Sequence, residues 1–135
     1  MTLTGAVSMK TKCKTKVYKF QPHELHFEFE PFIVGFCGTA SEIVDIVDFY
    51  TSPEVYKDMP RTRNLSGLVL TQSGKIFQFD RPDKWLAVSA PFAAMGSGAC
   101  TALGALHCGA SPRDAVNAAM KVDPFTGLGV KVVSF

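Results

Sequence analysis

The stretch MGSGACTALGALHCGASPRDAVNAAMKVDPFTG, residues 95–127, decides the fold of this chain. It begins with a tight glycine turn at Gly96–Gly98, where backbone freedom is needed. A helix rich in small residues is predicted over Ala99–Cys108, and Gly109 is placed to end it. Small side chains allow this helix to approach a neighbour closely. Because a glycine turn precedes the helix, the stretch is predicted to start as a strand-to-helix junction.

A second helix follows, and its start is marked clearly. Ser111, Pro112 and Asp114 occupy the N-cap, N1 and N3 positions that these residue types favour. The acid-bearing loop Asp123–Gly127 comes next, and a closing strand is predicted over Gly129–Phe135. Two consecutive helices thus precede the last strand.

Strands and one further helix are predicted upstream. Ser41 is the candidate N-cap of that helix, and the apolar residues between Ile43 and Tyr50 recur at helical spacing. The helix is expected to end near Ser52-Pro53. Alternating or continuous apolar runs predict strands at Val17–Phe20, His26–Glu30, Phe32–Cys37, Leu65–Thr71, Lys75–Asp80 and Trp85–Ala90.

The order of these elements predicts the fold class. The helices come in blocks, which disfavours a simple alternating parallel fold and favours a layered α+β sandwich. With 135 residues and 47% hydrophobic content, residues 1–135 are expected to form one domain around one core.

Composition excludes several classes of function. A net charge of +2 is too small to indicate nucleic acid or membrane binding by itself, and no apolar run approaches the roughly 18–20 residues of a membrane span. No secretory signal is visible, so a cytoplasmic location is the default expectation. The four cysteines form no C-x-x-C pair and are expected to be free thiols.

The sequence predicts no cofactor and no metal site. The Gly96–Gly98 turn lacks the G-K-[ST] of a phosphate loop and never completes G-x-G-x-x-G. His23 and His26 are three apart beside a predicted strand, so they are interpreted as surface residues rather than as zinc ligands. The alternating lysines from Lys10 to Lys16 could bind phosphates, but a strand edge guarded by lysine is the commoner explanation.

Five residues stand at the ends of predicted elements, where active-site groups tend to gather. They are Lys16, Gly38, Ser97, Asp123 and Thr126. No ordinary nucleophile and base pair accompanies them, and the chain has no G-x-S-x-G elbow.

Four blocks of the sequence, in order, resemble the proteasome β and HslV family of N-terminal-nucleophile hydrolases. They cover nearly the whole chain. The blocks are Met9–Phe20 with its lysines, Phe32–Glu42 with Gly38-Thr39-Ala40, Met95–Ala115 with Gly96–Gly98, and Asp123–Gly127.

The resemblance implies a four-layer αββα sandwich, a threonine-type peptidase activity and a ring-like homo-oligomer. Its substrates would be peptides or unfolded proteins, with an unfoldase as partner. By position, Lys16 matches the lysine that adjusts the acidity of the nucleophile's amine and hydroxyl. Gly38 matches the residue whose backbone N–H binds the oxyanion. Ser97, Asp123 and Thr126 match the polar group around the terminal amine.

The chain departs from the family at its start. A strand beginning Thr-Thr and a second strand, which together form the first β-hairpin, are expected before Met1 and do not occur in this sequence. Thr2 becomes terminal if Met1 is removed, but by register it lies past that hairpin. Two alternatives therefore stay open: a non-catalytic assembly or binding subunit of the same fold, and a small basic-edged module that binds nucleic acid or protein.

Overall fold

The computed structural model describes residues 5–9, 17–20, 31–51, 58–81, 84–127 and 129–135, and for the first two ranges the backbone alone. It contains seven described strands and three described helices. In chain order these are β1 (Gly5–Met9), β2 (Val17–Phe20), β3 (Phe32–Gly38), α1 (Ala40–Thr51), β4 (Leu65–Thr71), β5 (Ile76–Arg81), β6 (Lys84–Val88), α2 (Ala99–His107), α3 (Pro112–Val122) and β7 (Val130–Ser134).

The described strands form two antiparallel sheets. The larger sheet has the order β2-β3-β4-β5-β6, so each strand pairs with its neighbours in the chain. The smaller sheet pairs β1 with β7, from Gly5 opposite Ser134 to Met9 opposite Val130. The tight turn between β4 and β5 is closed by a hydrogen bond of 2.9 Å from Gly74 N to Thr71 O. Both sheets are therefore consistent with the predicted α+β class.

The main core lies between α1 and one face of the larger sheet. Ile46 from the helix and Phe32, Val34 and Phe79 from the strands are fully buried there. The ring of Phe32 meets that of Tyr50 edge to face at 5.6 Å between centroids. Aromatic side chains fill this interior without demanding hydrogen-bond partners, apart from the Tyr50 hydroxyl, whose pKa burial raises far above its ordinary value.

A second cluster joins the two C-terminal helices. Ala102 and Leu106 of α2 pack with Ala115 and Ala119 of α3, and all four are buried. Alanine at the contact lets the helix axes approach closely. In turn, α3 contacts β1 and β7, while β1 also contacts β3 of the larger sheet. The described elements are thus connected from α2 and α3, through the small sheet and the large sheet, to α1.

Several element boundaries agree with the sequence, and some do not. Ser111 is the N-cap of α3, as predicted: its hydroxyl accepts a hydrogen bond of 3.1 Å from Asp114 N. The prediction for Ser41 is wrong, because α1 already begins at Ala40 and the carbonyl of Thr39 accepts its first bond, from Ile43 N. The strand at Gly5–Met9 was not predicted, and the strand predicted at His26–Glu30 lies outside the described residues.

Among the residues described, no helix is both long and apolar enough to cross a membrane. The described cysteines Cys37, Cys100 and Cys108 carry free thiols, and Cys13 lies outside the described ranges.

Candidate functional site

The candidate site is centred on the carboxylate of Asp123, directly after α3. Its Oδ2 accepts hydrogen bonds of 2.5 Å from the hydroxyl of Ser97 and of 2.5 Å from the hydroxyl of Thr126. The other oxygen, Oδ1, accepts a bond of 3.2 Å from the backbone N–H of Phe125. Both carboxylate oxygens therefore accept hydrogen bonds. Oδ2 connects the turn before α2, through Ser97, to the loop after α3, through Thr126.

Local structure explains how these residues meet. Asp123 is the C-cap of α3, and its N–H donates to the carbonyl of Ala119 at 2.8 Å. The Gly96–Gly98 turn brings Ser97 to the start of α2. A Cβ on the buried Gly98 would stand 3.0 Å from both Ala119 Cβ and Thr126 Oγ1. The lack of a side chain at residue 98 therefore lets the turn approach the end of α3.

The hydrogen bonds determine the charge of this group. Donation by Ser97, then by Thr126, and more weakly by the Phe125 N–H holds the pKa of Asp123 below its ordinary value, against the opposing effect of desolvation. The carboxylate is thus ionised at neutral pH. Because both hydroxyl protons point to it, the lone pairs of the two hydroxyl oxygens can accept hydrogen bonds from another group. Such an arrangement suits a donor such as an ammonium.

Gly38 lies at a second corner, between β3 and α1. Its φ of +129° is a conformation that side chains rarely adopt, and a Cβ there would stand 1.9 Å from the carbonyl oxygen of Asn64. Only glycine fits this position without displacing the chain. The N–H of the next residue, Thr39, donates to the same Asn64 carbonyl at 2.9 Å.

The structure bears differently on the five predicted site residues. Ser97, Asp123 and Thr126 are brought together as one hydrogen-bonded group. Gly38 has a glycine-specific conformation at the end of β3, and its proximity to that group stays a prediction. Lys16 lies outside the described residues, and the catalytic roles of all five stay predictions.

Two residues around Gly38, Glu42 and Asn64, were not predicted from the sequence as part of a site. Glu42 accepts hydrogen bonds from the backbone N–H groups of Arg63, at 2.8 Å, and Asn64, at 3.0 Å. The Asn64 side chain donates to the hydroxyl of Thr39 at 3.2 Å. The spacing from Thr39 to Glu42 is that of a capping box, which would have suggested a bond from Glu42 back to the Thr39 N–H. The carboxylate instead binds a loop about twenty residues downstream.

Within the described ranges, no group of three or more metal-binding side chains is close enough to hold an ion. His23 and His26, considered above as ligands, are outside those ranges.

Known proteins resemble this chain in structure but not in sequence. No sequence family matches it, and no curated protein is significantly similar. BPH from Thiobacillus denitrificans superposes with a TM-score of 0.62 over 98% of this chain and 97% of BPH, at 15% identity. BPH in complex with epoxomicin gives 0.61 over 77% of this chain and 74% of BPH, at 20% identity.

HslV from Trypanosoma brucei superposes with a TM-score of 0.55, over 98% of this chain and 100% of HslV, at 14% identity. At such low identity these similarities concern the fold. The chain therefore has a fold of the proteasome and HslV type.

Proposed function

We propose that this protein is a subunit of a threonine-type peptidase that works by the N-terminal-nucleophile mechanism. The hydrogen-bonded group of Ser97, Asp123 and Thr126 carries the proposal. The family resemblance implies one shared role for these residues, around a terminal amine. Their geometry suits that role, because an ionised carboxylate with two acceptor hydroxyls can bind and orient an ammonium or amine.

The remaining roles complete a reaction of this class. The hydroxyl of an N-terminal threonine attacks the peptide carbonyl, and its proton passes to the threonine's own α-amine. The C–N bond then breaks, the amine product takes that proton, and water hydrolyses the remaining ester. The Gly38 N–H is proposed to stabilise the oxyanion of the tetrahedral intermediate. Lys16 is proposed to favour loss of the hydroxyl proton by placing a positive charge nearby.

The mechanism needs a threonine at the mature N-terminus. Removal of Met1 would make Thr2 terminal, and a threonine-initiated segment upstream is the other source that the resemblance implies. The superpositions on BPH and HslV, which cover 97% and 100% of those chains, lend no support to a missing first hairpin. Determining the mature N-terminus is therefore part of testing this function.

The same proposal includes the assembly. The chain is proposed to adopt the four-layer αββα arrangement, to associate into a ring-like homo-oligomer and to act in the cytoplasm on peptides or unfolded proteins, with an unfoldase as partner. The contacts that connect α3, the small sheet, the large sheet and α1 support that layer order.

Peptide hydrolysis by the purified full chain tests the function. Intact mass establishes the N-terminal residue, and a set of fluorogenic peptides reports turnover. We expect Lys16→Ala to lower kcat by roughly 10²-fold or more, the scale of a proton-transfer catalyst, without changing the oligomer. Lys84→Ala is the matched control, because Lys84 is an exposed lysine on β6, and it should retain full activity.

Two results would contradict the proposal. Full activity of Lys16→Ala would remove Lys16 from the site. The second result concerns a protein whose N-terminal threonine has been confirmed by mass. If that protein hydrolyses none of the peptides and shows no binding of epoxomicin, the non-catalytic subunit of the same fold is favoured.

A further inference from the structure

The carboxylate of Glu42 connects helix α1 to a loop that is distant in the sequence. Glu42 lies in the first turn of α1, and its two oxygens each accept one backbone N–H, from Arg63 at 2.8 Å and from Asn64 at 3.0 Å. Two hydrogen bonds to an ionised acceptor are stronger than bonds between neutral groups. The carboxylate therefore fixes the peptide groups on both sides of Arg63 relative to the helix.

That loop touches Gly38. The Asn64 carbonyl oxygen occupies the space where a Cβ on residue 38 would lie, 1.9 Å from that position, and it also accepts the Thr39 N–H at 2.9 Å. The Asn64 side chain adds a bond of 3.2 Å to the Thr39 hydroxyl. The carbonyl group of Asn64 thus contacts the Gly38–Thr39 backbone, while the N–H of Asn64 is bound by Glu42.

We propose that Glu42 is a positioning residue for the Gly38 backbone, acting through the Arg63–Asn64 loop. The inference rests on the proposed function, in which the Gly38 N–H stabilises an oxyanion. Such a donor works only when it is already aimed at the position where negative charge develops. A loose loop would let the Gly38 peptide rotate, and the loss would appear in the transition state more than in substrate binding.

The test compares Glu42→Gln with Asp45→Asn in the full-length protein. Both variants lose one negative charge from α1, but Asp45 is exposed and has no part in the proposed contact. Glutamine keeps the shape but places an NH2 donor where one of the two acceptor oxygens was, so one of the two N–H groups loses its acceptor. We expect Glu42→Gln to lower kcat about 10-fold with KM changed less than about 2-fold, since small misplacements of catalytic groups cost on this scale.

Amide hydrogen exchange gives a second readout that does not need activity. Mass spectrometry of the peptides containing residues 38–39 and 63–64 should show faster exchange in Glu42→Gln, by about 10-fold, and unchanged exchange in Asp45→Asn. Glu42→Asp keeps the charge on a shorter side chain and should fall between wild type and Glu42→Gln in both readouts. It replaces Glu42→Gln if that variant does not fold.

The outcomes separate this inference from the proposed function. Equal kcat and equal exchange in Glu42→Gln and Asp45→Asn would overturn the role of Glu42 while leaving the peptidase proposal intact. A wild-type protein without peptidase activity would overturn the proposed function, and the exchange of residues 38–39 would then decide by itself whether Glu42 holds the Gly38 backbone. A loss of kcat with unchanged exchange at 38–39 would also overturn the proposed route through the loop.

Discussion

At the scale of single residues, the chemistry of the candidate site depends on one carboxylate held by two hydroxyl groups. Asp123 accepts both side-chain protons on one oxygen, which leaves the oxygen lone pairs of Ser97 and of the buried Thr126 as acceptors. Protonation of the carboxylate would remove the negative charge of the site and change its hydrogen bonds at the same time. The stability of the protein at acid pH therefore reports on this carboxylate.

The hydrogen bonds to Asp123 predict a pH-dependent contribution to stability. Because its pKa is lowered in the folded state, the ionised carboxylate stabilises the fold above the unfolded value of about 3.9. That contribution is lost as the pH falls through the folded pKa. We expect Asp123→Asn to lower the free energy of unfolding near neutral pH, and the difference from wild type to shrink as the pH falls below the unfolded value of about 3.9.

Chemical denaturation at several pH values measures this difference. Asp48→Asn is the control, because it removes one carboxylate from an exposed position on α1. A difference between wild type and Asp123→Asn that is constant from neutral to acid pH would contradict the contribution from the lowered pKa.

The sequence could predict part of the site because its residues lie at recognisable element ends. Ser97 lies within a glycine turn and Asp123 follows a helix with a clear N-cap, and the family resemblance placed Thr126 with them. The contact of Glu42 with Arg63 and Asn64 could not be predicted in the same way. It depends on how a polar loop returns to α1 across about twenty residues, and no periodic pattern encodes that path.

At the scale of elements, packing in the larger sheet depends on a glycine beneath an aromatic ring. Gly67 of β4 pairs with Phe79 of β5, and a Cβ on Gly67 would lie 2.3 Å from the Phe79 ring. Phe79 is fully buried, and its ring centroid lies 6.2 Å from that of Phe36 and 5.3 Å from that of Trp85. A displaced Phe79 ring would therefore disturb two further aromatic contacts.

We expect Gly67→Ala to lower the free energy of unfolding by about 1–3 kcal/mol, the usual cost of overpacking a core. Gly35→Ala is the matched control, because Gly35 lies in the neighbouring strand β3 and a Cβ there meets no atom of the described side chains within 4 Å. That variant should be more stable than wild type by about 0.5–1 kcal/mol, since glycine in a strand interior is unfavourable. Urea denaturation of both variants measures these changes, and equal stabilities would contradict the packing argument.

Local signals determined how well each element could be predicted. The bounds of β4 agree with the sequence, and the start of α3 agrees because Ser111 and Pro112 mark it. β1 was missed because its partner among the described strands, β7, lies at the other end of the chain. The start of α1 was placed two residues late because Thr39 and Ser41 are both good N-cap types, and tertiary contacts of Thr39 with Asn64 decide between them.

At the scale of the whole molecule, large apolar side chains remain at the surface of the single chain. Leu86 on β6, Val122 at the end of α3 and Phe125 beside the candidate site are 68%, 68% and 77% exposed. Scattered exposed apolar residues are normal in a monomer. Two of these three, Val122 and Phe125, lie within two residues of Asp123 in the sequence.

The proposed homo-oligomer predicts that thermal stability depends on protein concentration. If assembly is coupled to the folded state, mass action stabilises that state as the concentration rises. We expect Tm to increase by at least about 4 °C over a 100-fold rise in concentration, which corresponds to roughly 1 kcal/mol for a domain of this size. Native mass spectrometry over the same range should show a multiple of the 14.6 kDa chain. A single mass of 14.6 kDa with a constant Tm would contradict self-association, and any activity would then have to come from a site completed within one chain.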